Sequence, residues 1–406
     1  MSDTVGEVAR VDADPNPLRS TLFTLLCIGY LMTTAFEFLL PPVMPVISED
    51  LGISFGQQGA LFLTVSISEA VANFVTGWWR DRVAGRTLSV LALTIAASGC
   101  TLTAAWPRYD VLLVAQGLIG AGAGAFFAVA APKVSQLAGV GRRGRAFGIW
   151  GAAVSVGGLG AAVLAATMAE QSWRTTYVAL ALGGVVLILA FARQPADPPV
   201  GLTRDEGTLK IVVSSTFARL TALGMVATSA QVGVSAFLPA YAVDNLHFSV
   251  GTAAALLAGG RIVSLPAKIA SGAAGDRFGR PRMLLFVMIG AVACMAAFLS
   301  GQRLLAAVGI IAYVAVAGAL FPLVNALLGD WLPHGNLGSG YGTFRALQIG
   351  FGGLIALAIG VLSDIIGLRL SLCIGLVTLT GGMVLVRGQS ETPHPITPLV
   401  TPPSGG

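Results

Sequence analysis

Residues 272–280 read Gly272-Ala273-Ala274-Gly275-Asp276-Arg277-Phe278-Gly279-Arg280, and residues 77–86 read Gly77-Trp78-Trp79-Arg80-Asp81-Arg82-Val83-Ala84-Gly85-Arg86. Gly77 and Gly272 stand 195 positions apart, as do Asp81 and Asp276; after one extra residue in the first copy, Gly85 and Gly279 stand 194 apart. A second landmark keeps this spacing, because Phe147-Gly148-Ile149-Trp150 and Tyr341-Gly342-Thr343-Phe344 are also offset by 194. Two independent landmarks at one offset indicate a duplicated chain with equivalent halves. In each copy the glycine allows a tight turn at a helix end. The acid and its basic neighbours either pair across helix ends as a gating lock or serve only to hold the loop on one side of a membrane.

The surrounding composition supports the membrane. Of 406 residues, 55% are hydrophobic and 11% charged, against about 25% charged in an ordinary soluble domain. The 52 glycines suit helices that pack closely in a bilayer through small residues. At about 20 mostly apolar residues per crossing, twelve spans are expected, over 20–46, 57–79, 87–106, 109–133, 145–169, 174–192, 211–242, 250–271, 283–301, 304–328, 340–362 and 369–387. The chain then divides into an N-terminal tail (1–19), a six-helix bundle (20–192), a polar linker (193–210), a second bundle (211–387) and a Pro/Thr/Ser-rich tail (388–406), which is expected to be disordered. The first 18 residues lack the basic n-region of a signal peptide, so the first apolar run is expected to be retained as a span.

Sixteen Lys and Arg fall on the side that carries the N-terminus, and four (Arg108, Arg174, Arg303 and Arg369) on the other. That bias predicts cytoplasmic termini in a plasma membrane, the inner membrane of a bacterium. The net charge of +5 sits in short loops, which argues against nucleic acid. No phosphate-binding Gly-rich Lys-Ser/Thr loop is present, and the short loops leave no room for a soluble catalytic domain, so neither ATP-driven transport nor an enzyme is expected. Cys27, Cys100, Cys294 and Cys373 lie in apolar runs without metal-ligand spacing. No metal or cofactor is expected.

The repeated loop motif resembles the signature of the major facilitator superfamily, Gly-x-x-x-Asp-Arg/Lys-x-Gly-Arg/Lys-Arg/Lys after span 2, with a copy after span 8. Ser172-Trp173-Arg174-Thr175-Thr176-Tyr177 is similar to the family's Trp-Arg-x-x-Phe element. The resemblance covers about 20–387 and implies a twelve-helix fold of two pseudo-symmetric bundles around a central site. It implies a gating role for Gly77, Asp81, Arg82, Arg86, Gly272, Asp276, Arg277 and Arg280. Two departures count against a typical drug exporter. The span-4 motif reads Leu113-Val114-Ala115-Gln116-Gly117 without its arginine, and span 5 lacks the Gly-Pro of drug/proton antiporters.

Ionisable residues at mid-membrane are costly and mark function or pairing. Glu69 in span 2 and Arg261 in span 8 both fall near the midplane. The offset maps Ser66, Glu69 and Asn73 onto Arg261, Ser264 and Lys268, each trio on one helix face. These faces are expected to oppose one another. Arg261 and Glu69 then form either a substrate site or a structural ion pair, with Glu69 as the expected partner of Arg261 in the empty protein. Lys268 either contacts substrate or snorkels to the interface. Glu37, followed by Pro41, Pro42 and Pro45, is either a proton-coupling site with Glu69 or a structural hydrogen-bonding group. Asn73, Gln116, Gln231, Asn325 and Tyr30 complete the candidate substrate-binding set. Arg345 opens span 11 and faces either a vestibule or lipid head groups. The expected function is secondary transport of a small solute, an anion ahead of a drug, by alternating access, with a proton as a candidate co-substrate and one chain as the working unit. A non-transporting membrane sensor on the same scaffold is the alternative class.

Overall fold

The computed structural model describes residues 20–80, 82–138, 143–195, 213–331 and 337–387. The expected tails (1–19 and 388–406), the linker beyond residue 195 and Asp81 lie outside the described residues.

Eleven helical stretches are long and apolar enough to cross a membrane. The longest, Gly148–Ala192, is broken at Ser172, where the backbone is extended (φ −166°, ψ 109°). It supplies two crossings, so the described residues provide twelve. Spans 1 to 4 are Thr21–Leu51, Phe55–Trp79, Gly85–Ala105 and Tyr109–Ala138. Spans 5 and 6 are the two limbs of Arg143–Ala192. Spans 7 to 12 are Ser215–Asp244, Val250–Phe278, Arg280–Leu299, Arg303–Trp331, Leu337–Ile366 and Leu368–Arg387. No strand occurs among the described residues.

Several boundaries differ from the expected ones for identifiable reasons. Span 1 continues to Leu51 because Pro41 and Pro42 open a second helical segment, Leu40–Leu51, where a missing N–H costs little. The break at Leu39 leaves Glu37 two residues before the kink. Span 7 is interrupted by a π-helical turn, Ser229–Val234. The freed Ala230 carbonyl there accepts from the Tyr313 hydroxyl at 3.0 Å and from the Ser235 hydroxyl at 3.2 Å. The Trp-Arg element ties span 6 to the end of span 1, since Trp173 Nε1 donates to Asp50 Oδ2 at 3.1 Å.

Within the first bundle, Gly120 and Gly124 press span 4 onto span 2. A Cβ at Gly120 would lie 2.1 Å from the Val65 carbonyl oxygen, and one at Gly124 would lie 2.1 Å from that of Glu69. This small-xxx-small pair sets the height at which Glu69 is held.

The two bundles meet along two seams, span 2 against span 11 and span 5 against span 8. At one end the seams are closed. Asp364 of span 11 accepts from the Ser54 hydroxyl at 2.8 Å and from the backbone N–H groups of Phe55 and Gly56 at 2.9 Å each. Glu170 of span 5 accepts from the Gly251 N–H at 2.7 Å. Glu170 and Asp364 are 194 positions apart, so one carboxylate-to-helix-N-terminus latch occurs in each seam. At the other end Gly148 and Gly151 of span 5 and Gly342 of span 11 have open space around them. No latch of this kind is described at that end, the one from which spans 1 and 5 start.

Candidate functional site

Glu69 is 7% exposed, at the seam between spans 2 and 11. Its carboxylate accepts from Arg345 Nη2 of span 11 at 2.8 Å. The Arg345 guanidinium also lies over the Phe127 ring, 4.0 Å from its centroid. Phe127 belongs to an aromatic group with Tyr30 and Trp150, whose rings stack at 4.0 Å and 17°. Glu69 and Arg345 are both charged neighbours of Glu37, and Glu37 Oε1 is buried without a hydrogen-bond partner. Spans 1, 2, 4, 5 and 11 thus build one centre holding two carboxyls and one guanidinium.

Arg261 lies in a separate setting. It is 8% exposed, and its guanidinium sits over Phe38 of span 1, 4.1 Å from the ring centroid. It also packs on span 5, where a Cβ at Gly158 would lie 3.3 Å from Arg261 Cζ. Among the described residues it has neither a carboxylate partner nor a hydrogen-bond acceptor. Two turns further along span 8, Lys268 Nζ donates to the Ser155 hydroxyl of span 5 at 2.8 Å. Arg261 is its charged neighbour.

The expected Glu69–Arg261 pair is therefore not formed. The repeat does equate the two faces, but each face meets a different partner helix. Ser66 of span 2 is approached by Gly353 of span 11, a Cβ there falling 2.6 Å from Ser66 Cβ, and Arg261 of span 8 is approached by Gly158 of span 5. Gly158 and Gly353 are 195 positions apart, as are Ser66 and Arg261. The pseudo-symmetry relates span 2 to span 8 and span 5 to span 11, so the span 2–span 11 seam is the counterpart of the span 8–span 5 seam, and the two faces lie in different seams.

The remaining candidates are distributed around these centres. Tyr30 joins the first one, with Arg345, Glu69 and Glu37 as charged neighbours. Asn73 is buried one turn beyond Glu69, and its Nδ2 is unpartnered. Gln231 is half-buried in the π-helical turn of span 7. Asn325 Nδ2 donates to the Phe321 carbonyl at 2.8 Å. Gln116 turns to span 3 inside the first bundle, where Nε2 lies 3.5 Å from the Thr103 hydroxyl.

The described contacts of Arg280, Arg277 and Arg86 stay within their own bundles. Arg280 bonds Asp276 at 3.2 Å, the Ala326 carbonyl at 2.8 Å and Asp330, all within the second bundle. Arg277 lies against Phe278. Arg86 Nη1 donates to the Gln194 carbonyl at 3.0 Å. Gly77 and Gly272 face open space, and Arg82 lies beyond the end of span 2.

Arg345, expected at a vestibule or among lipid head groups, joins the site, as do Phe127, Trp150, Phe38 and Ser155, which the sequence does not single out as site residues. Arg345 reads as a helix-end charge when span 11 is started at 340. The helix begins at Leu337, which sets Arg345 about 12 Å from its start. No spacing rule marks the others, because apolar rings and small hydroxyls are common in any span.

A model of the Major Facilitator Superfamily matches residues 26–299 and 220–402. The chain belongs to the major facilitator superfamily. An uncharacterized MFS-type transporter of Bacillus subtilis, YfnC, is 23% identical over 86% of this chain and 87% of its own length. The fosmidomycin resistance protein of Escherichia coli is 22% identical over 90% of this chain and 92% of its own. In fold, the chain is similar to a bacterial homologue of the human lysosomal transporter Spinster, solved facing inward and unoccupied, with a TM-score of 0.76, 16% identity, and coverage of 92% of this chain and 97% of that one. As a superfamily member the chain is an integral membrane transporter of a small molecule and not an enzyme.

Proposed function

We propose that this transporter carries an anionic solute between its two bundles by alternating access, coupled to a proton at the Glu37–Glu69 centre. One observation carries the reading: the Arg261 guanidinium is buried between Phe38 of span 1 and Gly158 of span 5, with no carboxylate against it among the described residues. An uncompensated cation buried there costs at least a few kcal/mol, and a bound anion offsets this cost. Phe38 and the backbone at Gly158 hold the plane of the guanidinium, which suits two-point capture of an oxyanion.

Glu37 and Glu69 supply the proton site. Glu69 is engaged by Arg345 across the seam between the bundles, and Glu37 beside it has a buried oxygen without a partner. Protonating this pair weakens its hold on Arg345, which couples proton arrival to movement of span 11 against span 2.

The charge bias of the loops supports cytoplasmic termini in a plasma membrane, so the unlatched end lies on the cytoplasmic side. Asn73, Gln231, Asn325 and Tyr30 are the polar groups proposed to complete the solute's contacts, and the single chain is the proposed working unit.

The test is a thermal-shift screen of the purified protein against anions, amino acids, sugars and cationic drugs, followed by flux in proteoliposomes. Anions should stabilise the wild type. Arg261→Ala should abolish both the shift and the flux, and Arg261→Lys should keep little of either, since an ammonium lacks the planar fork. Full transport by Arg261→Ala with unchanged affinity overturns the reading. The whole-length relative named for fosmidomycin resistance favours a second reading, export of a drug. Stabilisation by drugs with no response to small anions would select it.

A further inference from the structure

We propose that the solute is a dianion, held by Lys268 together with Arg261. The proposal rests on the anion reading above and adds a second charge contact to it.

The Cα positions of Arg261 and Lys268 are seven residues apart on one face of span 8, about 10.5 Å along the helix. Their head groups converge, however. The Arg261 guanidinium packs at Gly158 of span 5, and the Lys268 ammonium bonds Ser155 of the same span. Those two positions are one turn apart, a rise of about 4.5 Å. The lysine stem is steered there by Gly318 of span 10, where a Cβ would stand 3.2 Å from Lys268 Cε.

Two cations are thus brought side by side in the bilayer. Among the described residues no carboxylate forms an ion pair with either, since Arg345 engages Glu69 and the charged neighbours of Glu37 are Glu69 and Arg345. Arg261 is the charged neighbour of Lys268, and like charges repel strongly where the dielectric is low. One negative charge offsets half of that cost, and two joined by a few bonds offset both cations. Ser155 takes one of the three Nζ donors, so two remain for a ligand. A short dicarboxylate or phosphonocarboxylate supplies two such charges a few bonds apart.

The experiment compares matched probes on the full-length protein in detergent: malonate with propionate, succinate with butyrate, and phosphonoacetate with acetate. A dianion should raise Tm at a concentration at least about tenfold below that of its monoanion, a difference of about 1.4 kcal/mol. Lys268→Met should remove this preference, so that each dianion and its monoanion act at equal concentrations, and Lys268→Arg should retain it. Ser155→Ala, which keeps both charges, should retain it as well and controls for damage to the fold. Equal stabilisation of the wild type by both members of each pair overturns the dianion proposal and leaves the anion reading standing. A dianion preference that survives Lys268→Met does the same. Failure of every anion to stabilise the wild type overturns both.

Discussion

Glu69 of span 2 and Arg345 of span 11 form an ion pair at 2.8 Å across the seam between the two bundles, with side chains 9% and 14% exposed. The pair lies between a latched end, where Asp364 caps the start of span 2, and an unlatched one. Among the described residues it is the ion pair that joins spans 2 and 11, and the separation of these spans in an alternating-access cycle has to break or exchange it. Arg345 has Phe127 beneath it as a second resting surface when Glu69 lets go.

Removing one partner of this pair should be more harmful than removing both. Glu69→Gln or Arg345→Met alone leaves a buried charge and should cost about 3–5 kcal/mol. The double variant should recover much of that loss. Thermal unfolding of the four proteins in one detergent forms the cycle, and additive losses would show that the two side chains do not interact.

The Gly124 contact should tolerate no side chain. A Cβ there meets the Glu69 carbonyl oxygen at 2.1 Å, so Gly124→Val must push span 4 away from span 2. A loss of about 1–3 kcal/mol or more is expected from overpacking, together with loss of flux. Gly151 has open space around it, and Gly151→Ala should change stability by no more than about 1 kcal/mol in either direction. Melting curves that rank the two variants the other way would contradict the packing described.

The twin latches should set the balance between conformations. Replacing Asp364 and Glu170 by alanine removes four hydrogen bonds between the bundles. The closed arrangement should lose about 1.4 kcal/mol, a tenfold shift in population. Ala356 is fully buried against span 2. A cysteine there, in a protein freed of its four native cysteines, should react faster with an impermeant maleimide in the latch variant. An unchanged rate would mean that the latches do not hold this end shut.

Loop charges predict the side of each face. Cysteines placed at Gly141 and Gly207 should be labelled by reagents that reach the cytoplasm, and one placed at Asp110 only by reagents outside. The opposite pattern would reverse the assigned orientation and with it the side on which the latches lie.

Most of the architecture was legible in the chain because membrane insertion is governed by local quantities. Apolar run length sets the crossings, the loop motifs mark equivalent turns, and the 194–195 offset places each residue beside its counterpart in the other half. The same offset brought Arg261 and Lys268 to attention as a pair of cations on one face of span 8. What the sequence could not determine was which groups meet. The expected pairing of Glu69 with Arg261 assumed that equivalent faces oppose each other, whereas the packing sets span 2 against span 11 and span 8 against span 5. Arg345 reads as a helix-end charge until span 11 is seen to begin at Leu337. Phe38 and Ser155 carry no sequence signal at all, and they become contacts of Arg261 and Lys268 only because the kink at Leu39 and the approach of span 5 bring them there. Hydropathy and repeat spacing act along the chain, within a helix or a loop. Ion pairing in a low dielectric depends on side-chain separations of a few ångströms between helices remote in sequence, and only the tertiary packing decides those.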